Sequence, residues 1–340
     1  MIRGLLKSVR DAVKPTASLG NPARAVVAGP KAAGGVVDAA AAAKQMIGHP
    51  MPIQKFKPVL SSAEIRAGLA QLSPEQPWAH YYDLGEAGET ITASNERYFG
   101  KAKGLKIIGT QVVDSVPFVT RRGRVEGLSV LDLTSAEGQH SIELAMAGAG
   151  RVLGIEGRKL YVDRSRFIAR CFGASNANFQ QGDVRKISPA ELGKFELVLF
   201  FGILHHLGAD DFLPMLNLLR EVTSDTLMLY THTAENGADV RFGKRLSEPM
   251  TNKDGYVGRL YREHPDGLTP EELERRVRSS LDNTFSFWAQ EAELLRALKA
   301  VGFPYIARQL HPNPFGDAAG DFRVMYVCRV DRDLDLTVSV

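Results

Sequence analysis

The chain has 340 residues and an ordinary globular composition, 44% hydrophobic and 24% charged, which excludes a fibrous or wholly disordered protein. Its longest strongly apolar run, at about residues 197–204, is far shorter than the roughly 20 residues that a membrane-spanning helix needs. Cys171 and Cys328, its two cysteines, have neither a metal-ligand spacing nor a disulfide pattern, so we expect a cytoplasmic protein without a bound metal.

The first 50 residues differ in composition from the rest of the chain. They contain seven Lys/Arg, two Asp/Glu, twelve Ala and no aromatic residue, and they carry a net charge of +5. The rest contains 35 Lys/Arg and 37 Asp/Glu, a net charge of −2, which argues against a large nucleic-acid footprint. We expect residues 1–50 to form a flexible basic arm, because they bury too little apolar surface to offset the ordering entropy. Residues 2–14 have an amphipathic pattern that fits packing on the protein itself or, alternatively, weak contact with an anionic membrane surface.

A helical extension is predicted at residues 51–127, where Ser61 and Glu64 have the spacing of a capping box. From there strand and helix patterns alternate, which predicts a doubly wound, Rossmann-like α/β domain over residues 128–330. The predicted strands are Ser129–Thr134, Arg151–Ile155, Asn178–Gln181, Glu196–Phe201 and Thr226–Thr231, and the predicted helices are Gln139–Ala147, Lys159–Phe172 and Asp210–Val222.

The alternation stops after the fifth predicted strand. Residues 233–284 are polar and dotted with Gly and Pro, and a connection of this length usually has a function, so we predict a substrate lid. A helix follows at residues 289–300. Two final strands, near residues 305–310 and 322–330, predict a closing antiparallel hairpin, and residues 331–340 form a tail.

Three acidic residues mark the ends of successive predicted strands. Asp132, Glu156 and Asp183 would meet at the carboxyl edge of the sheet, where open α/β sheets bind ligands. Glu156 can accept hydrogen bonds from both ribose hydroxyls of a nucleoside, and Asp183 from an adenine amine. Asp132 either contacts the cofactor or only binds backbone amides of the turn. The helix after Gly138 offers free N–H groups to a carboxylate or phosphate.

The surrounding stretch resembles a known motif. Residues 130–158, VLDLTSAEGQHSIELAMAGAGRVLGIEGR, resemble motif I of the class I S-adenosylmethionine-dependent methyltransferases, written D-x-G-x-G-x-G. Asp132 and Gly138 match the motif, whereas Thr134 and Ala136 replace its first two glycines. Thr134 lacks the freedom of glycine at positive φ, so the details of the cofactor contact should differ from the family pattern.

Three further segments extend this resemblance: residues 195–207 (FELVLFFGILHHL), 77–85 (PWAHYYDLG) and 285–303 (FSFWAQEAELLRALKAVGF). Together they resemble the subgroup that includes the tRNA wobble-uridine carboxymethyl- and methoxy-modifying transferases, alongside many small-molecule methyltransferases. Their tRNA-acting members carry a Trp/Lys-rich segment before motif I, which is not recognisable here.

The resemblance implies S-adenosylmethionine as the cofactor. In the tRNA-acting members, an Arg that opens the last strand binds an extra carboxylate on the cofactor, and Arg323 stands in the similar place. The implied cofactor contacts are Asp132, Thr134, Ala136, Gly138, Glu156, Gly157, Asp183, Val184, Phe201, Gly202 and Arg323.

His205 and His206 follow the fourth strand, where the resembled enzymes place the acceptor. Because histidine titrates near neutral pH, one of the pair is a candidate general base, with His206 preferred. Alternatively, the pair only caps a helix or satisfies backbone groups. Together with His232 they could approach a metal, but the ligand spacing does not support a metal site. Candidate substrate contacts are Tyr256, Arg259 and Tyr261, whose alternative role is to anchor the insertion.

We therefore predict an enzyme that moves a methyl group from S-adenosylmethionine to an oxygen or nitrogen of a small-molecule acceptor. Two alternatives stay open. One is a tRNA wobble-uridine modifying transferase, which would need a basic surface beside the pocket. The other is a non-catalytic S-adenosylmethionine-binding module, because motif I lacks two of its glycines.

Overall fold

The parallel sheet predicted for the core is present and has seven strands. In the computed structural model their order is β3-β2-β1-β4-β5-β10-β9, with β10 antiparallel to both of its neighbours. The doubly wound fold and the closing hairpin are thereby confirmed. The strands are β1 (Ser129–Leu133), β2 (Arg151–Glu156), β3 (Ala177–Gln181), β4 (Phe195–Phe201), β5 (Thr223–His232), β9 (Tyr305–Arg308) and β10 (Arg323–Arg329).

The structure describes residues 56–72, 77–91, 112–235, 238, 242–276, 279–309 and 322–331. The predicted arm and nearly all of the predicted tail lie outside them. Among the described residues, none of the helices has the length and apolarity that crossing a membrane requires. These helices are α1 (Ser62–Leu72), α2 (112–119), α3 (Gln139–Met146), α4 (Lys159–Phe172), α5 (Pro189–Leu192), α6 (Phe212–Val222), α7 (Pro270–Arg275) and α8 (Glu291–Ala300).

Alternating apolar side chains on the strands build two cores, one on each face of the sheet. In β4, Leu197 and Leu199 belong to the core that packs on α1, α3 and α4. Val198 and Phe200 belong to the core that packs on α6 and α8. Because helices cover both faces, β4 reads as a nearly continuous apolar run.

The capping box predicted at the start of α1 is confirmed. The Ser61 backbone N–H donates to Glu64 Oε2 at 2.8 Å, and the Glu64 N–H donates to Ser61 Oγ at 3.3 Å. This reciprocal pair satisfies two N–H groups that would otherwise lack a partner in the first turn. The sequence spacing was therefore sufficient to locate the helix start.

The insertion after the fifth strand is present, but it contains strands that the polar sequence did not predict. β6 (Met250–Thr251) and β7 (Val257–Arg262) pair with β8 (Phe285–Ala289) in a separate antiparallel sheet. Gly258 permits the close approach of β7 to β8, since a Cβ there would lie 2.4 Å from the Trp288 carbonyl oxygen. The insertion is thus an ordered structure attached through β8.

Several predicted boundaries shift. β5 begins at Thr223 rather than Thr226, and the helix predicted at residues 289–300 begins at Glu291, because residues up to Ala289 belong to β8. The short helix α5 was not predicted. These differences move no element to another layer, so the ends of the parallel strands still meet at the carboxyl edge of the sheet.

Candidate active site

A cavity of about 400 Å³ opens at the carboxyl edge of the sheet. It lies beside the boundary between β1 and β4. From this boundary successive strands are added in opposite directions along the sheet, and open α/β sheets bind ligands at such a switch point. The predicted site residues that line it are Thr134, Ala136, Glu156, Gly157, Asp183, Val184, Phe201, Gly202 and His206. The predicted residues that do not line it are Asp132, Gly138, His205, Tyr256, Arg259, Tyr261 and Arg323.

The loop after β1 takes the left-handed conformation that the motif requires, although two of its residues are not glycine. Thr134 has φ of 72° and Ala136 has φ of 47°. Such a conformation costs a non-glycine residue on the order of 1–3 kcal/mol. Backbone bonds hold it in place, since the N–H groups of Thr134 and Ser135 both donate to the Ile155 carbonyl, at 2.7 and 3.1 Å. These backbone hydrogen bonds therefore hold the loop in this conformation without a bound ligand.

Gly138 ends this loop and cannot be replaced without strain. Its φ is 82°, and a Cβ at this position would lie 2.9 Å from the Phe179 ring and 3.0 Å from Cβ of Ser165. The glycine thus allows α3 to pack against α4 and the edge strand. Its contribution to the site is the placement of the helix N-terminus rather than a lining surface.

Glu156 occupies the end of β2 with its carboxylate oriented by two backbone amides. Oε2 accepts from the Ala136 N–H at 3.0 Å, and Oε1 accepts from the Arg158 N–H at 2.9 Å. The residue is 6% exposed, and burial raises its pKa above the usual value despite these bonds. Each oxygen can accept a further hydrogen bond, so the carboxylate is suited to a pair of ribose hydroxyls.

Asp183 lines the cavity, but its carboxylate already has a cationic partner. Arg185 donates to it from Nε at 2.9 Å and from its terminal nitrogen at 2.8 Å, and these bonds lower the pKa of Asp183. The same guanidinium binds Asp282 of the insertion at 2.5 Å. Sequence reasoning missed Arg185, although it stands two residues after the acid that it neutralises.

Asp132 lies beneath the cavity rather than on its wall. It is 2% exposed and accepts a hydrogen bond from Ser141 Oγ at 2.7 Å. Burial raises the pKa of Asp132 to about 6, with a smaller contribution from the negative charge of Glu156. The carboxylate is therefore a buried charge close to the loop after β1, residues 134–138, which is called the cofactor loop below because it corresponds to motif I.

A second buried acid, Glu137, was not identified from the sequence. Its carboxylate accepts from the His80 N–H at 2.7 Å, from the Ala79 N–H at 2.9 Å and from Arg164 at 2.7 Å. Burial alone would raise the pKa of Glu137, but His80 and Arg164 together lower it. Glu137 thereby fastens residues 77–80 onto the cofactor loop, which gives the PWAHYYDLG segment a structural role.

The side chains of His205 and His206, which follow β4, lie in different surroundings. His205 is 4% exposed, stacks on His232 with ring centroids 3.7 Å apart, and accepts the His232 N–H at 3.2 Å. Burial lowers the pKa of His205 well below its usual value, with further lowering by His232 and His206. His206 alone of the pair lines the cavity. Its Nδ1 lies 2.7 Å from Oε1 of Glu263, a buried residue of the insertion that the sequence did not single out.

The predicted substrate contacts lie in the packing of the insertion. Tyr256 packs against Phe212 with ring centroids 5.4 Å apart, and Tyr261 stacks on Trp288 at 4.6 Å. Arg259 donates from Nε to the Ser247 carbonyl at 2.5 Å. These contacts correspond to the anchoring alternative. On β10, Arg323 lies in register with His232 and likewise does not reach the cavity wall.

A different segment of the insertion, residues 279–282, completes the cavity. Arg158 donates to the carbonyl groups of Arg276 at 3.0 Å and Ser279 at 3.2 Å, and Arg185 binds Asp282. These contacts attach the insertion to the ends of β2 and β3. Within the described ranges, no group of His, Cys, Asp and Glu side chains is arranged to hold a metal ion.

Comparisons with known proteins identify the domain and its fold. Residues 124–267 match the family model described as a methyltransferase domain. The solved structure of the N-terminal domain of EvdMO1 with SAH bound is 22% identical, with a TM-score of 0.58 over 80% of this chain and 98% of that chain. The same domain in the presence of SAH and D-fucose is 21% identical, with a TM-score of 0.55 and the same coverage. No curated protein matches the chain.

Proposed function

Because residues 124–267 match a methyltransferase domain and the fold is that of structures with SAH bound, we propose that the chain is a class I S-adenosylmethionine-dependent methyltransferase that transfers the methyl group to an oxygen or nitrogen of a small-molecule acceptor. The observation that carries the proposal is a shared cavity. Glu156, suited to a ribose, and His206, the candidate base, line the same space of about 400 Å³. A volume of this size is within the range of small-ligand sites.

The residues around the cavity fit S-adenosylmethionine. Three buried polar atoms near the cofactor loop lack a hydrogen-bond partner among the described residues: Ser135 Oγ, Gln139 Nε2 and His140 Nδ1. Buried polar atoms are rarely left without a partner, but none of these three residues lines the cavity, so a cofactor group would have to reach past the cavity wall to pair with them. Burial lowers the pKa of His140 to about 3, so its ring is neutral at physiological pH.

We propose that three parts of the chain bind the cofactor. Glu156 would accept the ribose hydroxyls, the loop from Thr134 to Gly138 would lie along the amino-acid portion, and Asp183 and Val184 would border the base. S-adenosylmethionine supplies an electrophilic methyl group when it is bound. The protein then has to align the acceptor with that group and exclude water, which can contribute several kcal/mol to the rate.

The small-molecule acceptor is supported by the size of the cavity and by the charge of residues 51–340. Residues 279–282 close one side, and the charged side chains on the wall are mixed: Glu156, Asp183 and Asp282 lie there with Arg158 and Arg185, so the wall is not strongly basic. A nucleic-acid substrate would favour a basic surface around the opening, whereas residues 51–340 carry a net charge of −2. One structural neighbour was crystallised in the presence of a sugar, D-fucose.

We also propose the division of the chain into an arm (1–50), a helical extension (51–127), the methyltransferase domain (128–330) and a tail (331–340). In this division the insertion at residues 233–284 is the lid of the acceptor site. The contacts of Arg158 and Arg185 with residues 276–282 support that role, because they attach the insertion beside the cofactor-binding strand ends.

The test is the transfer of label from [methyl-14C]S-adenosylmethionine into a fractionated cell extract. We expect label in the small-molecule fraction, and we expect Glu156→Ala to abolish it at low cofactor concentration. Label that enters the RNA fraction instead would contradict the small-molecule acceptor. Tight cofactor binding by calorimetry without transfer into any fraction would favour a non-catalytic binding module.

A further inference from the structure

The buried carboxylate of Glu263 is held so that it faces His206. It lies 2.7 Å from Nδ1 of His206, and the same oxygen accepts from Ser286 Oγ at 2.8 Å. Its other oxygen accepts from the Ser280 N–H at 3.4 Å. The Glu263 side chain is 1% exposed and the His206 side chain is 18% exposed. The insertion therefore places the buried Glu263 carboxylate as a hydrogen-bond acceptor beside Nδ1 of His206, the candidate base.

This contact bears on which nitrogen of a neutral His206 ring carries the proton, because such a ring donates from only one nitrogen. An ionised carboxylate can only accept hydrogen bonds, so the neutral imidazole must place its proton on Nδ1. Nε2 then keeps a lone pair, and no described residue forms a hydrogen bond with it. Backbone bonds also restrain the residue, since the His206 N–H donates to Ile203 at 2.7 Å and Asn283 Nδ2 donates to the His206 carbonyl at 2.8 Å.

We infer that Glu263 is a positioning residue that holds His206 as a general base, and that the acceptor is a hydroxyl group. The inference rests on the proposed function. A hydroxyl is a weak nucleophile at its free pKa and is activated by an adjacent base. A neutral amine already has a nucleophilic lone pair, so a base fixed in this way would contribute little to its attack. The pair of His206 and Glu263 therefore favours oxygen over nitrogen as the acceptor atom.

The reaction balances with the groups named. As the acceptor oxygen bonds to the methyl carbon, the carbon–sulfur bond breaks and its electron pair remains on sulfur. The hydroxyl proton moves to Nε2 of His206, and the products are a methyl ether, S-adenosylhomocysteine and the imidazolium form of His206. The imidazolium that forms faces the Glu263 carboxylate, which stabilises its charge until the proton passes to water.

The first test reads the tautomer of His206 without an acceptor. Nitrogen NMR of the full chain labelled with 15N-histidine distinguishes Nδ1–H from Nε2–H, and spectra are recorded with and without S-adenosylhomocysteine. The signals of His206 are assigned as those that are missing from the spectrum of His206→Asn. We expect the Nδ1–H form in the wild type. Glu263→Gln should raise the ratio of Nε2–H to Nδ1–H by about tenfold or more, because a hydrogen bond to a charged group contributes roughly 1.5–3 kcal/mol.

Two further variants keep this test decisive. Glu263→Asp retains a carboxylate and should keep the Nδ1–H form if the glutamine variant does not fold. Asp225→Asn changes a buried carboxylate at the amino end of β5, the opposite edge of the sheet, and should leave the His206 tautomer unchanged. Wild-type His206 in the Nε2–H form, or a ratio unaffected by Glu263→Gln, would overturn the role of Glu263.

The second test reads catalysis, with [methyl-13C]S-adenosylmethionine and the small-molecule fraction that takes up label. The carbon chemical shift of the product should be that of an O-methyl group. Glu263→Gln should lower kcat roughly 10- to 100-fold with the affinity for S-adenosylhomocysteine unchanged, and Glu263→Asp should recover part of the rate. An N-methyl product would overturn the hydroxyl acceptor. If the wild type transfers no methyl, the proposed function fails, while the tautomer still decides whether Glu263 positions His206.

Discussion

The cavity has two walls that are built in different ways. The wall formed by β1, β2 and their loops is held mainly by backbone hydrogen bonds, such as those from Thr134 and Ser135 to the Ile155 carbonyl. The insertion is anchored by the backbone pairing of β7 with β8, but its cavity-lining segment, residues 279–282, is held mainly by side chains, above all Arg158, Arg185 and Glu263. The comparison suggests that the cofactor wall is set by the fold, whereas the acceptor wall depends on individual polar contacts and can change with few substitutions.

The largest effect is expected on kcat, from a substitution that removes the candidate base and leaves the cofactor wall unchanged. His206→Asn removes the candidate base and should lower kcat roughly 100-fold or more, because general-base catalysis contributes about 10²–10⁴-fold. Cofactor affinity should stay nearly unchanged, since His206 is not among the groups proposed to hold the nucleoside. Turnover assays and calorimetry measure the two quantities separately. Near-normal turnover would show that alignment of the acceptor suffices.

The complementary change acts on the cofactor wall. Glu156→Ala removes the acceptors proposed for the ribose hydroxyls, so cofactor affinity should fall about tenfold to a hundredfold, the equivalent of roughly 1.5–3 kcal/mol. Calorimetric titration with S-adenosylhomocysteine gives this number directly. The control is Glu272→Gln, an exposed change in the capping box of α7. An unchanged dissociation constant in a folded Glu156→Ala variant would remove Glu156 from the site.

The buried charge under the cofactor wall should reduce the stability of the free protein. The pKa of Asp132 is raised to about 6 from 3.8, so its ionisation is disfavoured in the folded state. The stability associated with its protonated form is present below about pH 4 and is lost as the pH rises through about 6. Asp132→Asn should therefore stabilise the free protein by roughly 1–3 kcal/mol at pH 7.5, with little effect near pH 4. Urea unfolding at both pH values checks this, and an equal effect at both would contradict the cause.

A smaller effect is expected from relieving strain in the cofactor loop. Ala136→Gly removes the left-handed strain of a non-glycine residue, about 1–3 kcal/mol, and adds the backbone entropy cost of glycine, about 0.5–1 kcal/mol. The net result should be a stabilisation of up to about 1–2 kcal/mol. Ala70→Gly, in the exposed part of α1, should instead destabilise by roughly 0.5–1 kcal/mol. Thermal unfolding of both variants should therefore give shifts of opposite sign.

The smallest effect is expected at the N-terminus. A chain that begins at Met51 should fold and bind S-adenosylhomocysteine with unchanged affinity, because the composition of residues 1–50 favours an independent arm. Vesicle flotation of the full chain beside the truncated chain tests the contact with anionic membranes. Loss of cofactor binding on truncation would place the arm within the domain.

The two walls also differ in how far they could be predicted. Thr134, Ala136 and Glu156, which line the cavity, were predicted from the sequence because a strand, a tight turn and a helix form a local pattern at fixed spacing. The pairing of His206 with Glu263 joins residues 57 positions apart and depends on how the insertion packs, which no local pattern encodes. The strands β6 and β7 were likewise not predicted, since β6 has two residues and the apolar residues of β7, Val257, Leu260 and Tyr261, lack the strict alternation that identifies a half-buried strand.

The predicted acceptor contacts illustrate the same limit. Tyr256 and Tyr261 were selected as aromatic residues of a lid, and the structure uses both to pack the insertion on the core. Aromatic side chains bury large areas, so within an ordered insertion they are drawn into packing contacts. The part of the insertion that lines the cavity, residues 279–282, consists of Ser279, Ser280, Leu281 and Asp282, whose side chains carry no recognisable motif.

The central claim is that the cavity holds the cofactor between Glu156 and His206. The most direct test is a crystal structure of the full chain grown with S-adenosylhomocysteine. We expect the ribose hydroxyls within hydrogen-bond distance of the Glu156 carboxylate, and the sulfur on the side of the cavity that His206 lines. A nucleoside bound at any other surface, or a bound ligand whose ribose does not contact Glu156, would contradict the account.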